Sequence, residues 1–420
     1  MIKDGYQVDG EVGRFQFNTH RWIDQSGFSY NSARDFFPTL KVKEWYRTVG
    51  FKEIAIIMGD VVSSYRSTAK LINRVRYQQL EGTPYRTLQA NTEKEGAELI
   101  DFLEKKTTHI LKRHQFDEDG TYKDDSKDSS SAKAVVIPER KIKEAAAALD
   151  NHYSVEELLN NPVAFEDASE SVNIAIDDVS VKRQSETRRK SSKPVEESNK
   201  RKYAHHTVIR IDKGQKRYSL VGAGIKEAIR YLIAFLLSNG LRGYRFQFFT
   251  DGHKVLNDTI RSCFSWHRNW GIILDWFHLV KKCKELLSMA MNGRIVRNEI
   301  LREVMPLLWH GLTDKAIGLL KGIEAEKVKN DEKLSKLIAY LERNKEMIPC
   351  YAIRKSLGLR NSSAIGEKMN DLIVSSRQKH NGMSWSKIGS LALAALTTAK
   401  LNGESQVWLT KRRLKFKLAA

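Results

Sequence analysis

Cysteine is scarce. Three occur in 420 residues, at Cys263, Cys283 and Cys350. An odd count with no CxxC spacing argues against a disulfide framework and a zinc finger, and a reducing cytosol fits best. Long apolar runs are missing as well. No stretch reaches about 18 apolar residues, and the mean hydropathy is −0.48, so no membrane-spanning helix is expected. The opening Met1-Ile-Lys-Asp-Gly-Tyr6 lacks an apolar segment, so no secretory leader is expected either. No repeat of fixed period is present. Acidic charge is in short supply: 51 Asp and Glu face 71 Lys and Arg, which leaves +20. That surplus favours a polyanionic partner. A membrane surface would need a basic amphipathic anchor, and none is evident. A small-molecule enzyme has no use for such a charge.

What is present suffices for two to three domains, with 41% hydrophobic residues to fill their cores. Residues 1–50 are rich in aromatics (Phe15, Phe17, Trp22, Phe36, Phe37, Trp45, Tyr46) and are expected to form short helices. Residues 51–62 and 65–76 read as two helices about a turn, with Ser64 capping the second. Arg66, Ser67, Lys70 and Arg74 lie along that second helix. This is the layout of a helix-turn-helix, and equally of two ordinary packed helices. A longer helical pattern covers about 92–114. A solvated linker follows from Asp117 to Ser131, with six acids and a serine run. Short helices at 139–149 and 154–160 lead into the second half.

The second half changes character. Asn173–Asp177 reads as a strand, Thr207–Ile211 and Arg217–Val221 as two more, and Ile225–Leu237 as an amphipathic helix. Tyr244–Thr250 is a fourth strand, Val255–Phe264 a helix and Gly271–Asp275 a fifth strand. Helical periodicity then runs from His278 to about Tyr351. A basic insert, Lys182–Lys202, separates the first two strands. It holds nine Lys and Arg, Arg188, Arg189 and Lys190 among them, against three Glu. The order β-β-β-α-β-α-β resembles that of the RNase H-like fold, a mixed five-stranded sheet whose first and fourth strands are neighbours. Expected boundaries are 1–115 for a mainly α-helical DNA-binding region, 116–170 for linker and short helices, and 171–277 for the first part of the core. A helical insertion at 278–355, the end of the core at 356–400 and a basic tail at 401–420 complete the chain.

Two carboxylates sit at strand ends, Asp177 after the first strand and Asp251 after the fourth. On adjacent strands they would converge, and two carboxylates facing each other repel unless a cation lies between them. Mg²⁺ or Mn²⁺ suits this, as a pair of ions able to activate the attacking oxygen and stabilise the leaving one. Asp178 neighbours Asp177 but would point to the opposite face. Asp177 is preferred because it directly ends the apolar run. A third carboxylate must come later. Glu367 lies a turn into a helix capped by Ser362 or Ser363, with Asn370 and Asp371 on nearly the same face.

Together these features resemble the DDE transposases of bacterial insertion sequences, specifically the group similar to Mutator-like elements. The likeness rests on Asp177, on Asp251 in Thr-Asp-Gly, on Asp275-Trp-Phe-His278 as a C/D-x-x-H signature, and on Ser363-x-x-x-Glu367 followed by Arg377 and Gly382-Met-Ser-Trp385. It spans about 172–395. Spacings of 74 residues from Asp177 to Asp251 and 116 from Asp251 to Glu367 leave room for a helical insertion before the Glu.

The resemblance implies that Asp177, Asp251 and Glu367 bind two metal ions, with Asp178, Asp275, His278, Asn370 and Arg377 as accessories. It implies metal-dependent cleavage and strand transfer at the ends of an insertion sequence. Partners would be the terminal inverted repeats and target DNA, bound by a dimer or larger assembly at the nucleoid of a bacterial cytoplasm. An RNase H-like nuclease without strand transfer and an inactive DNA-binding regulator are the alternatives. Gly222-Ala-Gly224 lacks the third glycine of a dinucleotide loop and reads as a tight strand–helix turn. Lys411–Lys417 reads either as a phosphate contact or as a solvated tail.

Overall fold

Period-two patterning governs two stretches near the start of the chain, Ile2–Asp9 and Arg14–Ile23, and makes them strands. In the computed structural model of the chain, β1 (Ile2–Asp9), β2 (Arg14–Ile23), β3 (Ser29–Tyr30) and β4 (Trp45–Arg47) form a sheet in the order β3-β2-β1-β4. The structure describes the chain except residues 1, 32, 34–39, 43, 79–81, 124–136, 150–151, 185–202, 363, 381–382 and 420; the side chains of residues 2, 3, 364, 365 and 367 are outside it as well. Strands therefore replace the expected short helices at Ile2–Asp9, Arg14–Ile23, Ser29–Tyr30 and Trp45–Arg47, while the helices at Val49–Val61, Tyr65–Val75 and Tyr85–Arg113 leave the described part of 1–115 mainly helical, as expected. Tyr6 and Val8, two apart on β1, are buried, and Phe15 and Phe17 repeat the same spacing on β2. Aromatics at that period line one face of a pleated strand, where their β-propensity is satisfied. Of the aromatics behind the helical expectation, Phe36 and Phe37 lie outside the described residues.

The chain divides into two compact units. The first comprises Met1–Lys105, Val179–His205 and Asp371–Phe416, and the second Lys106–Asp178, His206–Asn370 and Lys417–Ala420. In the first unit α1 (Val49–Val61) and α2 (Tyr65–Val75) follow the sheet, and α3 (Tyr85–Arg113) begins there. Ser64 caps α2 as expected: its Oγ accepts the Ser67 N–H at 3.1 Å. Phe51, Ala55, Tyr65, Ala69, Ile72 and Leu88 share a core with Trp385 and Leu393. The basic tail, read either as a phosphate contact or as solvated, packs in part: α14 (Lys387–Leu401) precedes α15 (Ser405–Lys411), and Trp408, Leu414 and Phe416 are buried. Four apolar side chains after Glu404 outcompete the lysines between them for placement, because the lysines need only stay wet.

The second unit holds α4 (Glu139–Ala147), α5 (Val155–Leu159) and a five-stranded sheet. The strands are β5 (Ser171–Lys182), β6 (Tyr203–Lys213), β7 (Lys216–Gly222), β8 (Arg245–Thr250) and β9 (Trp270–Leu274). Their order is β7-β6-β5-β8-β9, so the first and fourth are neighbours as expected. One boundary is corrected. β5 does not stop at Asp177: it continues through Val179 and Val181, both buried. Alternating apolar residues beyond the acidic pair carry the strand on. The start of the expected linker is also ordered, with Phe116 buried against Trp266 at 5.2 Å.

Helices cover this sheet. α6 (Ile225–Ser238) buries nine side chains, and α7 (Lys254–Cys263) packs against it. After β9 come α8 (Trp276–Ala290), α9 (Arg294–Trp309), α10 (Thr313–Lys321), α11 (Asp331–Asn344), α12 (Tyr351–Ser356) and α13 (Ala364–Asn370). α13 runs on into one π-helical turn, Asp371–Ser375. Arg354, fully buried, is held by Glu166 through two bonds of 2.6 Å, which fastens α12 to the segment before β5.

Among the described residues no helix is long and apolar enough to cross a membrane.

Candidate active site

Strand register brings three aspartates to one level. β5 runs parallel to β8 with Ala175 opposite Phe249, an offset of 74 residues, the difference between 249 and 175. The same 74 residues separate Asp177 from Asp251. β8 runs parallel to β9 with Thr250 opposite Leu274, an offset of 24, the difference between 274 and 250. The same 24 separate Asp251 from Asp275. Asp177, Asp251 and Asp275 thus form a row across three strands that lie about 4.8 Å apart.

Each carboxylate is held differently. Asp251 Oδ1 accepts the His253 N–H at 2.8 Å, and Tyr340 of α11 donates its hydroxyl to the Asp251 main-chain carbonyl at 3.0 Å. Gly252 turns between them with φ +80°, and a Cβ there would meet Leu274 at 2.8 Å and Asn344 at 3.0 Å. Asp275 is fully buried and caps α8, accepting the His278 N–H at 3.0 Å. His278 Nδ1 stands 3.4 Å from the same oxygen. The Asp-x-x-His spacing is therefore, locally, a cap and the first turn of its helix. His278 is half-buried and lines a cleft beside Asp251 rather than sitting in the core.

Asp177 is half-buried and its carboxyl is pushed up to about 6. Burial is the main cause. His278 pulls the other way, while the neighbouring Asp251 charge and that of Asp178 add to the rise. Asn370 of α13 donates its side-chain amide to Asp177 Oδ2 at 2.5 Å. Asp178 points away, as strand geometry requires, and accepts the Thr207 hydroxyl.

Glu367 lies on α13, three residues before Asn370; its side chain is outside the described residues, as is Ser363. Among the described residues no three His, Cys, Asp or Glu side chains are grouped closely enough to hold a metal ion. Asp177 and Asp251 are two hard oxygen donors side by side, and Mg²⁺ needs no more from a protein than one or two carboxylates.

Other expected residues fall elsewhere. Arg377 is buried in the first unit, where Nε donates to Gly59 O at 2.6 Å and Nη1 to Ser63 O at 2.9 Å. Its guanidinium also stacks between Tyr65 and Trp385. This arginine closes the α1–α2 turn. Arg66, Lys70 and Arg74 line an exposed face of α2 beside a groove of about 530 Å³ completed by Thr83, Pro84 and Tyr85. Ser67 is exposed at the helix start. Arg188, Arg189 and Lys190 lie outside the described residues. At the Gly222 loop, Glu227 accepts the Ala223 N–H and the Tyr231 hydroxyl, and a Cβ on Gly222 would meet Ala228 N at 2.7 Å. The loop is a tight strand–helix turn, as read.

Sequence reasoning missed the cleft beside Asp251. It measures about 260 Å³, and α8 and α11 wall it with His278, Lys281, Lys282, Glu285, Tyr340 and Arg343. The spacing of Lys281 and Lys282, three and four residues after His278, was a usable signal. For Tyr340 and Arg343 there was none.

No curated protein matches the chain. A family model described as an uncharacterised protein family (UPF0236) matches residues 255–413, a span that takes in Asp275, His278, Glu367, Asn370 and Arg377 and starts just after Asp251.

Proposed function

We propose that the chain is a DDE transposase of the Mutator-like kind, with an RNase H-like catalytic core in its second unit. The observation that carries this reading is the register of adjacent parallel strands, whose 74-residue offset sets Asp177 beside Asp251 just past the paired stretch, where the Asp251 charge acts on Asp177. The strand order and the long helical segment before Glu367 support it. So does the +20 charge, which suits a DNA substrate.

In this reading Asp177 and Asp251 hold a pair of Mg²⁺ or Mn²⁺ ions, and Glu367 completes the set from α13. Such ions supply activation of the attacking oxygen and charge stabilisation at the leaving one. The protein's own part is to fix the donors. Asn370 orients Asp177, while the Gly252 turn and Tyr340 fix the backbone that carries Asp251. The exposed basic face of α2 grips duplex DNA at the ends of the element, with the protein acting as a dimer or larger assembly at the nucleoid.

The test uses DNA bearing this gene with its native flanks. The protein is incubated with it in Mg²⁺ or Mn²⁺, beside Asp251→Asn, and products are mapped by sequencing. Metal-dependent breaks at both flanks, with ends joined to new DNA and none from the variant, are expected. Breaks without joining would make the protein a nuclease. Binding without breaks under either metal would leave a DNA-binding regulator.

A further inference from the structure

The cleft beside Asp251 carries charge that the carboxylate row does not use. His278, Lys281, Lys282 and Glu285 lie at i, i+3, i+4 and i+7 on α8, so one face of that helix lines it. Tyr340 and Arg343, three apart on α11, form the opposite wall. Lys281, Lys282 and Arg343 are exposed, and among the described residues none of the three makes an ion pair. Against these three cations the cleft sets two carboxylates, Asp251 and Glu285. Asp251 already faces Asp177. Cations of like sign crowded into a concavity repel one another, and an anion with several oxygens relieves that repulsion.

The wall is anchored where it meets the strand end. The Tyr340 hydroxyl donates to the Asp251 carbonyl at 3.0 Å, and the Arg343 guanidinium lies over the Tyr340 ring, 5.8 Å from its centroid. α11, which packs on α8, is therefore tied to the end of β8, and the backbone positions that carry the three cations are held beside Asp251. A guanidinium offers a planar fork that fits phosphate oxygens, and two lysines add mobile point charges.

We propose that this cleft seats a backbone phosphate of the DNA strand next to the bond that is cut, with Lys281, Lys282 and Arg343 as its direct contacts. The inference rests on the transposase reading and adds to it a strand-positioning site on the helical segment. It places the helices after β9 in the substrate path, where the three cations together replace the counterion of that phosphate.

The test measures binding of a fluorescein-labelled DNA duplex by anisotropy in Ca²⁺, over roughly 50–200 mM salt. The Lys281→Gln/Lys282→Gln/Arg343→Gln protein is compared with the parent and with Lys333→Gln, a partly exposed lysine that does not line the cleft. The triple variant should bind about tenfold or more weakly, with a log–log salt slope shallower by about 0.9, the contribution of the one phosphate whose contacts are lost. Lys333→Gln should match the parent, and melting temperatures should agree across all three proteins. A triple variant with the parent's affinity and slope, in a protein that binds and cuts DNA, would overturn this site alone. A parent that neither binds nor cuts DNA would overturn the transposase reading, and the site with it.

Discussion

The Asn370 side-chain amide reaches Asp177 across 193 residues of chain and donates to its outer carboxylate oxygen. That bond joins α13, the helix of Glu367, to the strand bearing the first aspartate. Asn370 is thus a positioning residue: it acts through Asp177. Asn370→Ala should raise the Mg²⁺ concentration needed for half-maximal cleavage by about tenfold, as loss of a ligand's hydrogen-bond partner commonly does. Cleavage rates across a Mg²⁺ titration measure this. An unchanged half-saturation point would show that the bond orients nothing.

The raised Asp177 carboxyl makes a stability prediction for metal-free protein. Its folded value near 6 lies above an ordinary Asp value near 4. The protonated form is therefore favoured by folding, and that contribution is full below about pH 4 and lost as pH rises through 6. Asp177→Asn mimics the neutral form. At pH 7.5 in EDTA it should be more stable than the parent by about 1–3 kcal/mol, with the gap closing near pH 4. Denaturant melts at the two pH values decide it. A variant less stable at both would contradict the burial and the Asp251 repulsion together.

Gly252 has no spare room. Its φ of +80° disfavours any L side chain, and a Cβ would press on Leu274 and Asn344. Gly252→Ala should cost about 2 kcal/mol or more, combining backbone strain with overpacking. Cleavage should fall further than stability, because the same turn carries Asp251. A variant with the parent's melting point and activity would refute the crowding.

Arg377 distinguishes support of the fold from work at the site. Its guanidinium donates to two main-chain carbonyls at the α1–α2 turn. Arg377→Met should destabilise the protein by about 2–4 kcal/mol, since the buried Gly59 carbonyl and the partly buried Ser63 carbonyl lose a charged donor. Cleavage by the folded fraction at low temperature should stay near the parent's. An unchanged melting temperature with lost cleavage would instead return Arg377 to the role of accessory at the carboxylates.

Much of the second unit was legible because its signals are local. The apolar runs at Thr207–Ile211 and Gly271–Leu274 and the amphipathic stretch at Ile225–Leu237 each carry their own period, and all appear as β6, β9 and α6. The Ser64 cap was legible for the same reason: a cap needs only the next three residues. The N-terminal sheet was not legible in its aromatics, because Phe15 and Phe17 were weighed as groups to be buried and not by their spacing of two, which Tyr6 and Val8 repeat. The end of β5 was misjudged because a double aspartate looks like a terminus, and only the neighbouring elements show that the strand continues.

By itself the sequence determined most elements of the second unit, the basic charge and the spacings of 74 and 24 that link Asp177, Asp251 and Asp275. Those numbers acquire meaning only from parallel register, which is a relation between strands and not a property of either one. The tertiary structure alone decided that the three aspartates stand level, that Asn370 meets Asp177, and that Arg377 turns away to brace α1 and α2. It also brought Tyr340 and Arg343 to the wall of a cleft beside Asp251. The physical reason is distance along the chain. Local preference acts over a few residues, whereas contacts across 89 or 193 residues are chosen by packing of the whole unit.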